Sequence, residues 1–390
     1  MSKKLNPNLT NVNAQNELNN PNNAINNNRT ARKIAFYIGS LNKGGAERVF
    51  VNLAEYFLSQ GYQVIMVTQY KKKDEYTLDN NIKRIISDIT PQETTKSRII
   101  NFYRRMHKLR GIWVAEKPDL VLTCVGKNNF MTVVTTMFTK TKAVVSVVGE
   151  AKEEYPNLLM KALAELLFPC AAGVILQTER SKSFFSRRVR KKAVVLPNSL
   201  NPLFIRQRFE GEREKRIVSV GRLDANKNHE MIIRAFAKIL EKHPEYTLTI
   251  YGEGELREYL QKLILVLKLE EKVFLPGIIP DVAEKIEKAS LFLLTSYSEG
   301  VSNALIEALA LGLPVIATDV PSGGTVELIE HGKSGLIIPV GDQAALEEAM
   351  DRLLSDAGLA DGLGREAYKI QERLAPERVN ALWKAYFESV

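Results

Sequence analysis

Tyr297-Ser298-Glu299-Gly300-Val301-Ser302-Asn303-Ala304-Leu305-Ile306-Glu307 follows the apolar run Leu291-Phe292-Leu293-Leu294-Thr295. It leads into Ala304 to Leu311, which Gly312 and Pro314 close. A short continuous apolar run reads as a strand buried on both faces of a parallel sheet. The Ala- and Leu-rich segment with its Gly and Pro stop reads as a helix. The order is therefore strand, polar loop, helix. Ser302 and Asn303 fall where the first free backbone N–H groups of that helix point, and such a helix start binds anions, phosphate above all. Glu299 lies just before the helix and Glu307 two turns inside it, with seven residues between them. An anion-binding helix start flanked by two carboxylates suits a ligand carrying both phosphates and hydroxyls, such as a nucleotide sugar. The spacing alone also fits two surface Glu on an ordinary crossover helix.

The same alternation extends in both directions. Lys33 to Ile38 reads as a strand, followed by a Gly-rich turn to Gly45, a helix from Ala46 to Gln60 and a second strand from Gln63 to Gln69. Asp119–Cys124, Lys142–Val148, Gly173–Gln177 and Lys192–Leu196 read as further strands. Pro197 to Glu214, with two prolines and many charges, reads as a linker. The pattern restarts with strand Arg216–Val220, helix Asn228–Glu241, strand Tyr246–Tyr251 and helix Glu255–Leu269. Short strands near Val273, Leu291, Val315 and Leu336 follow. Repeated β-α alternation predicts an α/β protein with two doubly wound parallel-sheet domains of Rossmann type facing a central cleft. The expected organisation is an Asn-rich disordered tail over 1–30, a first domain over 31–200, a second over 201–362 and a C-terminal helix over 363–390.

The segment from Glu299 to Glu307 resembles the donor-site signature of the family 4 retaining glycosyltransferases, enzymes of bacterial glycan assembly with two Rossmann-like domains in the arrangement termed GT-B. The resemblance covers roughly residues 33–388. It implies that Glu299 lies near the donor sugar, that Glu307 contacts the ribose hydroxyls, and that the backbone of Val301, Ser302 and Asn303 holds the diphosphate, with Gly300 also on the donor side. Gly221-Arg222-Leu223-Asp224-Ala225-Asn226-Lys227-Asn228 matches the family motif in which an Arg and a Lys five residues later clamp the diphosphate. Departure of a nucleoside diphosphate builds negative charge, which preorganised cations stabilise. Arg222, Lys227 and Glu299 are therefore the expected catalytic residues, although the two cations could equally be solvated loop residues. Lys43-Gly44-Gly45-Ala46-Glu47-Arg48 matches the family's first-turn motif and places Gly44 and Gly45 near the donor, with Glu47 and Arg48 bracing the turn. Gly252 and Gly254 resemble the turn beside the nucleotide, and Ile278 lies in the loop whose backbone reads the base. Asn198 matches a hinge position. The family's common His after the strand ending at Val148 is missing. Glu150 is a candidate acceptor-side replacement, or simply a carboxylate suited to a helix N-terminus.

The chain has 390 residues, 45% hydrophobic and 25% charged, enough for two domains of ordinary size. No stretch reaches the length of a spanning helix without a charge, and the N-terminal residues lack the apolar core of a secretion signal. Cys124 and Cys170 sit in apolar sequence and are expected to be buried thiols in a reducing cytoplasm. No Asp-x-Asp pair occurs, so Arg222 and Lys227 are expected to do the work of a metal, and no cofactor is expected beyond the nucleotide-sugar donor. Residues 1–205 hold 31 Lys and Arg against 15 Asp and Glu, a net +16; residues 206–390 hold 23 against 30, a net −7. A basic first half suggests an anionic partner, and the glycosyltransferase resemblance favours a membrane surface or a polyprenyl-phosphate-linked acceptor over nucleic acid. Lys96 to Trp113 sharpens this, placing Ile99, Phe102, Tyr103, Met106, Leu109 and Trp113 at helical spacing, with Arg98, Arg104, Arg105, Lys108 and Arg110 filling the rest. It reads as a membrane-surface helix or as a core-facing stripe with a solvated basic face. Arg187 to Lys192 is a second basic cluster.

The expected function is transfer of a hexosyl or N-acetylhexosaminyl unit from a nucleotide sugar, with UDP the favoured base, to a lipid-linked or polysaccharide acceptor. The expected location is the inner face of the cytoplasmic membrane. A nucleotide-sugar 2-epimerase of the same fold and a non-catalytic accessory subunit are the competing readings.

Overall fold

A computed structural model describes residues 32–42 and 44–390; the expected tail over 1–30 and Lys43 lie outside the described residues. The first domain contains strands β1 (Lys33–Ile38), β2 (Gln63–Thr68), β3 (Lys83–Ile86), β4 (Leu120–Cys124), β5 (Lys142–Val147), β6 (Gly173–Leu176) and β7 (Ala193–Val195). Its helices are α1 (Gly45–Ser59), α2 (Arg98–Glu116), α3 (Lys127–Thr136), α4 (Ala151–Glu154), α5 (Leu158–Leu167) and α6 (Arg187–Arg190). The second domain contains strands β8 (Glu214–Val220), β9 (Thr247–Tyr251), β10 (Val273–Gly277), β11 (Ala289–Leu294), β12 (Val315–Thr318) and β13 (Leu336–Ile338). Between and after them come α7 (His229–Ile239), α8 (Arg257–Val266), α9 (Val282–Ile286), α10 (Asn303–Ala310), α11 (Gly324–Leu328), α12 (Gln343–Ser355), α13 (Ala357–Tyr368), α14 (Ile370–Arg373) and α15 (Pro376–Ser389).

Both sheets are parallel. Their orders are β3-β2-β1-β4-β5-β6-β7 and β10-β9-β8-β11-β12-β13. Strand order reverses between β1 and β4 in the first sheet and between β8 and β11 in the second. In open α/β sheets ligands bind beyond the carboxyl ends of the strands at such a reversal. The sequence motifs after Ile38, Val220 and Leu294 all fall at these two points.

Burial explains why these segments form these elements. All five residues of β4 are buried, as are the last five of β1, so both strands are covered on both faces. Along α1, Phe50, Val51, Leu53, Ala54 and Phe57 are buried, the spacing of one helix face. In α2, Leu109 and Trp113 are buried, whereas Ile99 and Tyr103 are 82% and 70% exposed. The stripe is thus core-facing in its second half and solvent-facing in its first, so the core-facing reading describes only its second half.

The expected C-terminal helix over 363–390 is interrupted. Leu363 lies inside α13, and the crossing element is α15, which Pro376 begins at a position where its missing N–H costs nothing. Phe387 stacks on Phe57 of α1 with ring centroids 5.1 Å apart, and Trp383 Nε1 donates to the Pro197 carbonyl at 3.0 Å. The linker is packed rather than free. Leu200 and Phe204 are buried, and Arg208 reaches Asp361. Of the two cysteines, Cys124 is buried as expected, but Cys170 is exposed. Cys170 ends a short 3-10 turn in which Phe168 takes the inward position.

Candidate active site

The loop after β8 is built on glycines. Gly221 N–H donates to Tyr251 O and Leu223 N–H to Glu253 O, both at 2.9 Å. A Cβ on Gly252, at φ +145°, would lie 1.8 Å from the Gly221 carbonyl oxygen, and one on Gly254 would lie 2.4 Å from Leu223 O. These two glycines let the turn after β9 press against the loop, so they shape it from beneath. Asp224 caps the turn Ala225–Lys227, accepting from Lys227 N–H at 3.1 Å, and pairs with Arg222 at 3.0 Å. The Arg222 side chain is 76% exposed. It is an exposed cation held at the loop surface by Asp224. His229 begins α7 behind this loop; burial, then the nearby Lys227, pushes its pKa down to about 4, so it stays neutral at physiological pH.

Asn226 joins this loop to the one after β11. Its Nδ2 donates to Ser298 O at 2.7 Å and its Oδ1 accepts from Ser298 N–H at 3.0 Å. The tie holds Lys227 beside Glu299, whose carboxylate takes both the ammonium and the Ser296 hydroxyl. Glu299, Arg222 and Lys227 are thus gathered on one wall. Ser302 caps α10 by position but makes no side-chain cap, and Asn303 begins the helix. The amide of Val301 is engaged already, donating to Gln177 Oε1 of the first domain at 3.0 Å. Ile278, just beyond β10, is 69% exposed.

The two domains meet along this helix start. A Cβ on Gly300 would lie 1.9 Å from the Val148 carbonyl oxygen, so only glycine fits there. Gln177 Nε2 donates to Asn198 Oδ1 at 2.9 Å, and Asn198 Nδ2 to Asn303 Oδ1 at 3.2 Å. Asn303 Nδ2 in turn faces Gly45 O at 3.4 Å. Arg48 does not merely brace its own turn; its guanidinium reaches Glu307 at 2.5 Å. Glu307 is 6% exposed. Burial pushes its carboxyl up and Arg48 opposes the shift.

On the first-domain wall Gly44 is the N-cap residue of α1 and Gly45 its first residue. The Glu47 carboxylate folds back over Gly44. Burial raises its pKa, against a smaller opposing pull from Arg222. Glu150 caps α4, accepting a long 3.4 Å bond from Lys152 N–H. Its Oε2 is buried with no partner, so the helix-terminus reading describes only one of its oxygens. Glu154 is the carboxylate that organises this wall. It accepts from Val148 N–H at 2.9 Å, Gly149 N–H at 2.8 Å and Gly126 N–H at 3.0 Å, joining the loops after β4 and β5. Arg48, Gln177, Asn226 and Glu154 carry roles that sequence reading did not assign. Only Arg48 and Asn226 stood inside recognised motifs.

Two α/β domains that bring phosphate-type loops to a shared cleft define the GT-B class. The family model described as Glycosyltransferase Family 4 matches residues 43–202, and that described as Glycosyl transferases group 1 matches residues 202–370. The chain belongs to the family 4 glycosyltransferases. Among similar proteins, Campylobacter jejuni N-acetylgalactosamine-N,N'-diacetylbacillosaminyl-diphospho-undecaprenol 4-alpha-N-acetylgalactosaminyltransferase is 29% identical, over 87% of this chain and 93% of that protein. A second enzyme of that organism, GalNAc-alpha-(1->4)-GalNAc-alpha-(1->3)-diNAcBac-PP-undecaprenol alpha-1,4-N-acetyl-D-galactosaminyltransferase, is 27% identical, over 83% of this chain and 89% of its own length. The crystal structure of Anabaena HepE in complex with UDP-glucose superposes with a TM-score of 0.77 at 18% identity, covering 92% of this chain and all of that one.

Proposed function

We propose that this glycosyltransferase moves a hexosyl or N-acetylhexosaminyl unit from a UDP-sugar to a lipid-linked or polysaccharide acceptor, with retention of anomeric configuration and without a metal ion. The observation that carries the reading is the convergence of the loops after β8 and β11 at a strand-order reversal, with Arg222, Lys227 and the start of α10 on one wall. Gly221, Gly252 and Gly254 shape the nucleotide side, where Ile278 borders the base. The diphosphate lies at the start of α10 against Ser302 and Asn303 and between the two cations, because the Val301 amide is taken by Gln177 and Gly300 is pressed against Val148. Glu307 takes the ribose hydroxyls and Glu299 orients the sugar.

The chemistry follows from charge. As the glycosidic C–O bond breaks, the sugar becomes oxocarbenium-like and the diphosphate gains charge that Arg222 and Lys227 stabilise. The acceptor hydroxyl attacks the same face, and the leaving phosphate oxygen takes its proton. No protein nucleophile is needed. Lys227 must turn from Glu299 toward the phosphate for this, which frees the Glu299 carboxylate for sugar hydroxyls. Gly44 and Gly45 line the opposite wall, with Glu150 on the acceptor side. The lipid-linked acceptor is supported by the undecaprenol-linked names of the two Campylobacter relatives. The basic first half and the exposed Ile99, Phe102 and Tyr103 at the start of α2 support docking on an anionic membrane surface. No helix among the described residues is long and apolar enough to cross a membrane.

Thermal unfolding with UDP, GDP and ADP, each with and without EDTA, tests the reading. A ligand at 100 times its dissociation constant adds about 2.7 kcal/mol. Stabilisation by UDP alone, insensitive to EDTA and lost in a Lys227→Ala, Glu307→Ala double variant, is expected. No response to any nucleotide would overturn it in favour of an accessory subunit.

A further inference from the structure

The first turn of α5 carries apolar surface that folding does not use. Leu158 is 86% exposed and Leu159 70%, and Leu166, two turns on, is 62% exposed. The helix is not frayed, because Asn157 caps it through Met160 N–H at 2.9 Å. Its inward face is held by other residues, with Ala164 buried and Leu163 and Leu167 packed on the cluster around Tyr155 and Phe168. Leu158 and Leu159, with Pro156 and Phe184, line an open groove of about 860 Å³ flanked by Lys152 and Lys161. The Lys161 ammonium lies 4.6 Å from the Phe184 ring centre. Neither lysine has a carboxylate partner among the described residues, and Arg187 and Arg188 add exposed charge close by in sequence.

We propose that this groove binds an isoprenoid diphosphate, the carrier end of a lipid-linked acceptor. The inference rests on the transferase reading above and adds a second site to it. Hydrocarbon fits the apolar floor, because water leaves Leu158, Leu159 and Phe184 when a chain lies on them. Phosphate fits the rim, where two unpaired ammonium groups supply mobile point charges. The location fits as well. Lys152 stands two residues from Glu150, and Glu154 ties the same short helix to the loops after β4 and β5. A sugar attached to a diphosphate at Lys152 therefore starts next to the acceptor wall of the cleft. A flat bilayer would meet the exposed residues of α2, whereas this open groove offers a single chain an apolar floor and a charged rim.

Farnesyl diphosphate is the probe, titrated into the full chain with UDP saturating so that the donor loops are filled. Farnesol, inorganic diphosphate and anionic vesicles are run in parallel. Saturable binding of farnesyl diphosphate is expected, weakened about tenfold or more, a factor equivalent to about 1.4 kcal/mol, in a Leu158→Asp, Leu159→Asp variant and again in a Lys152→Glu, Lys161→Glu variant. Stabilisation by UDP should be unchanged in both, which shows that they fold and keep the donor site. Equal binding by wild type and variants would overturn the proposal. So would equal affinity for inorganic diphosphate, or an effect of the substitutions on vesicle binding alone. Loss of UDP stabilisation in the wild type would instead count against the transferase reading and leave the groove to be judged by its own titration.

Discussion

Two cation–carboxylate pairs stand at the candidate active site, and they are built differently. Lys227 and Glu299 belong to one domain. Their loops are tied by Asn226, and the exposures of the two side chains are 12% and 15%. Arg48 and Glu307 belong to opposite domains, so their contact crosses the boundary between them. The first pair can exchange partners without moving the backbone. The second is a contact that domain opening removes outright. A nucleotide that takes both carboxylates must therefore turn one lysine aside and displace one arginine. If the proposed donor takes both carboxylates, its arrival disturbs the domain-crossing pair and so is coupled to closure, whereas the local pair keeps its cation within the second domain.

The largest effect should come from the local pair. Lys227→Ala removes a preorganised charge from the leaving group, and a loss of about 10²–10³ in kcat is expected. Glu299→Gln keeps the shape but releases Lys227 from its partner, so sugar transfer should fall while UDP still stabilises the protein. Loss of UDP stabilisation in Glu299→Gln would mean that this carboxylate serves the nucleotide. The assignment of sugar to Glu299 and ribose to Glu307 would then have to be reversed.

Gly300→Ala tests the domain contact without touching either pair. A methyl group would run into the Val148 carbonyl, so the domains must separate or the loop must shift. Activity should drop about tenfold or more, since small misplacements of this kind are costly. UDP should still bind the second domain. Solution scattering should show a more open molecule. Unchanged dimensions with full activity would show that closure tolerates the wedge.

The same contrast governs what the sequence revealed. The loops after β8 and β11 were legible because each is a local run of residues between a buried strand and a helix. Strand β3 was not. It is an edge strand with charged Lys83 and Arg84 and no fully buried residue, so it has no apolar run to read. The first domain's wall was legible only in part. Glu150, Glu153 and Glu154 lie together, and which carboxylate turns inward depends on where α4 begins, for which the local pattern has no period. Gln177 meets Val301 across 124 positions, and Arg48 meets Glu307 across a still longer stretch. Such pairings arise from how two sheets face each other, and a lone polar residue after a strand does not announce its partner.

The smallest expected effect is on the domain-crossing pair, and pH separates its contributions. Burial raises the Glu307 carboxyl above its usual value, so the folded state holds that proton more tightly than the unfolded chain does. The stability from this shift is fully present below the ordinary carboxylate pKa of about 4.3 and is lost as pH rises through the folded value. Arg48 works against that loss by favouring the charged form. Arg48→Ala should therefore cost about 1–2 kcal/mol at neutral pH, where the pair is lost, and much less near pH 4, as falling pH protonates Glu307 and leaves Arg48 less to oppose. Glu307→Gln should make the Arg48→Ala cost nearly independent of pH. Thermal unfolding of the two single variants and the double variant at both pH values measures this directly. An equal Arg48→Ala cost at pH 4 and pH 7 would show that Arg48 acts by packing rather than by charge, and the coupling of ligand arrival to closure would lose its electrostatic basis.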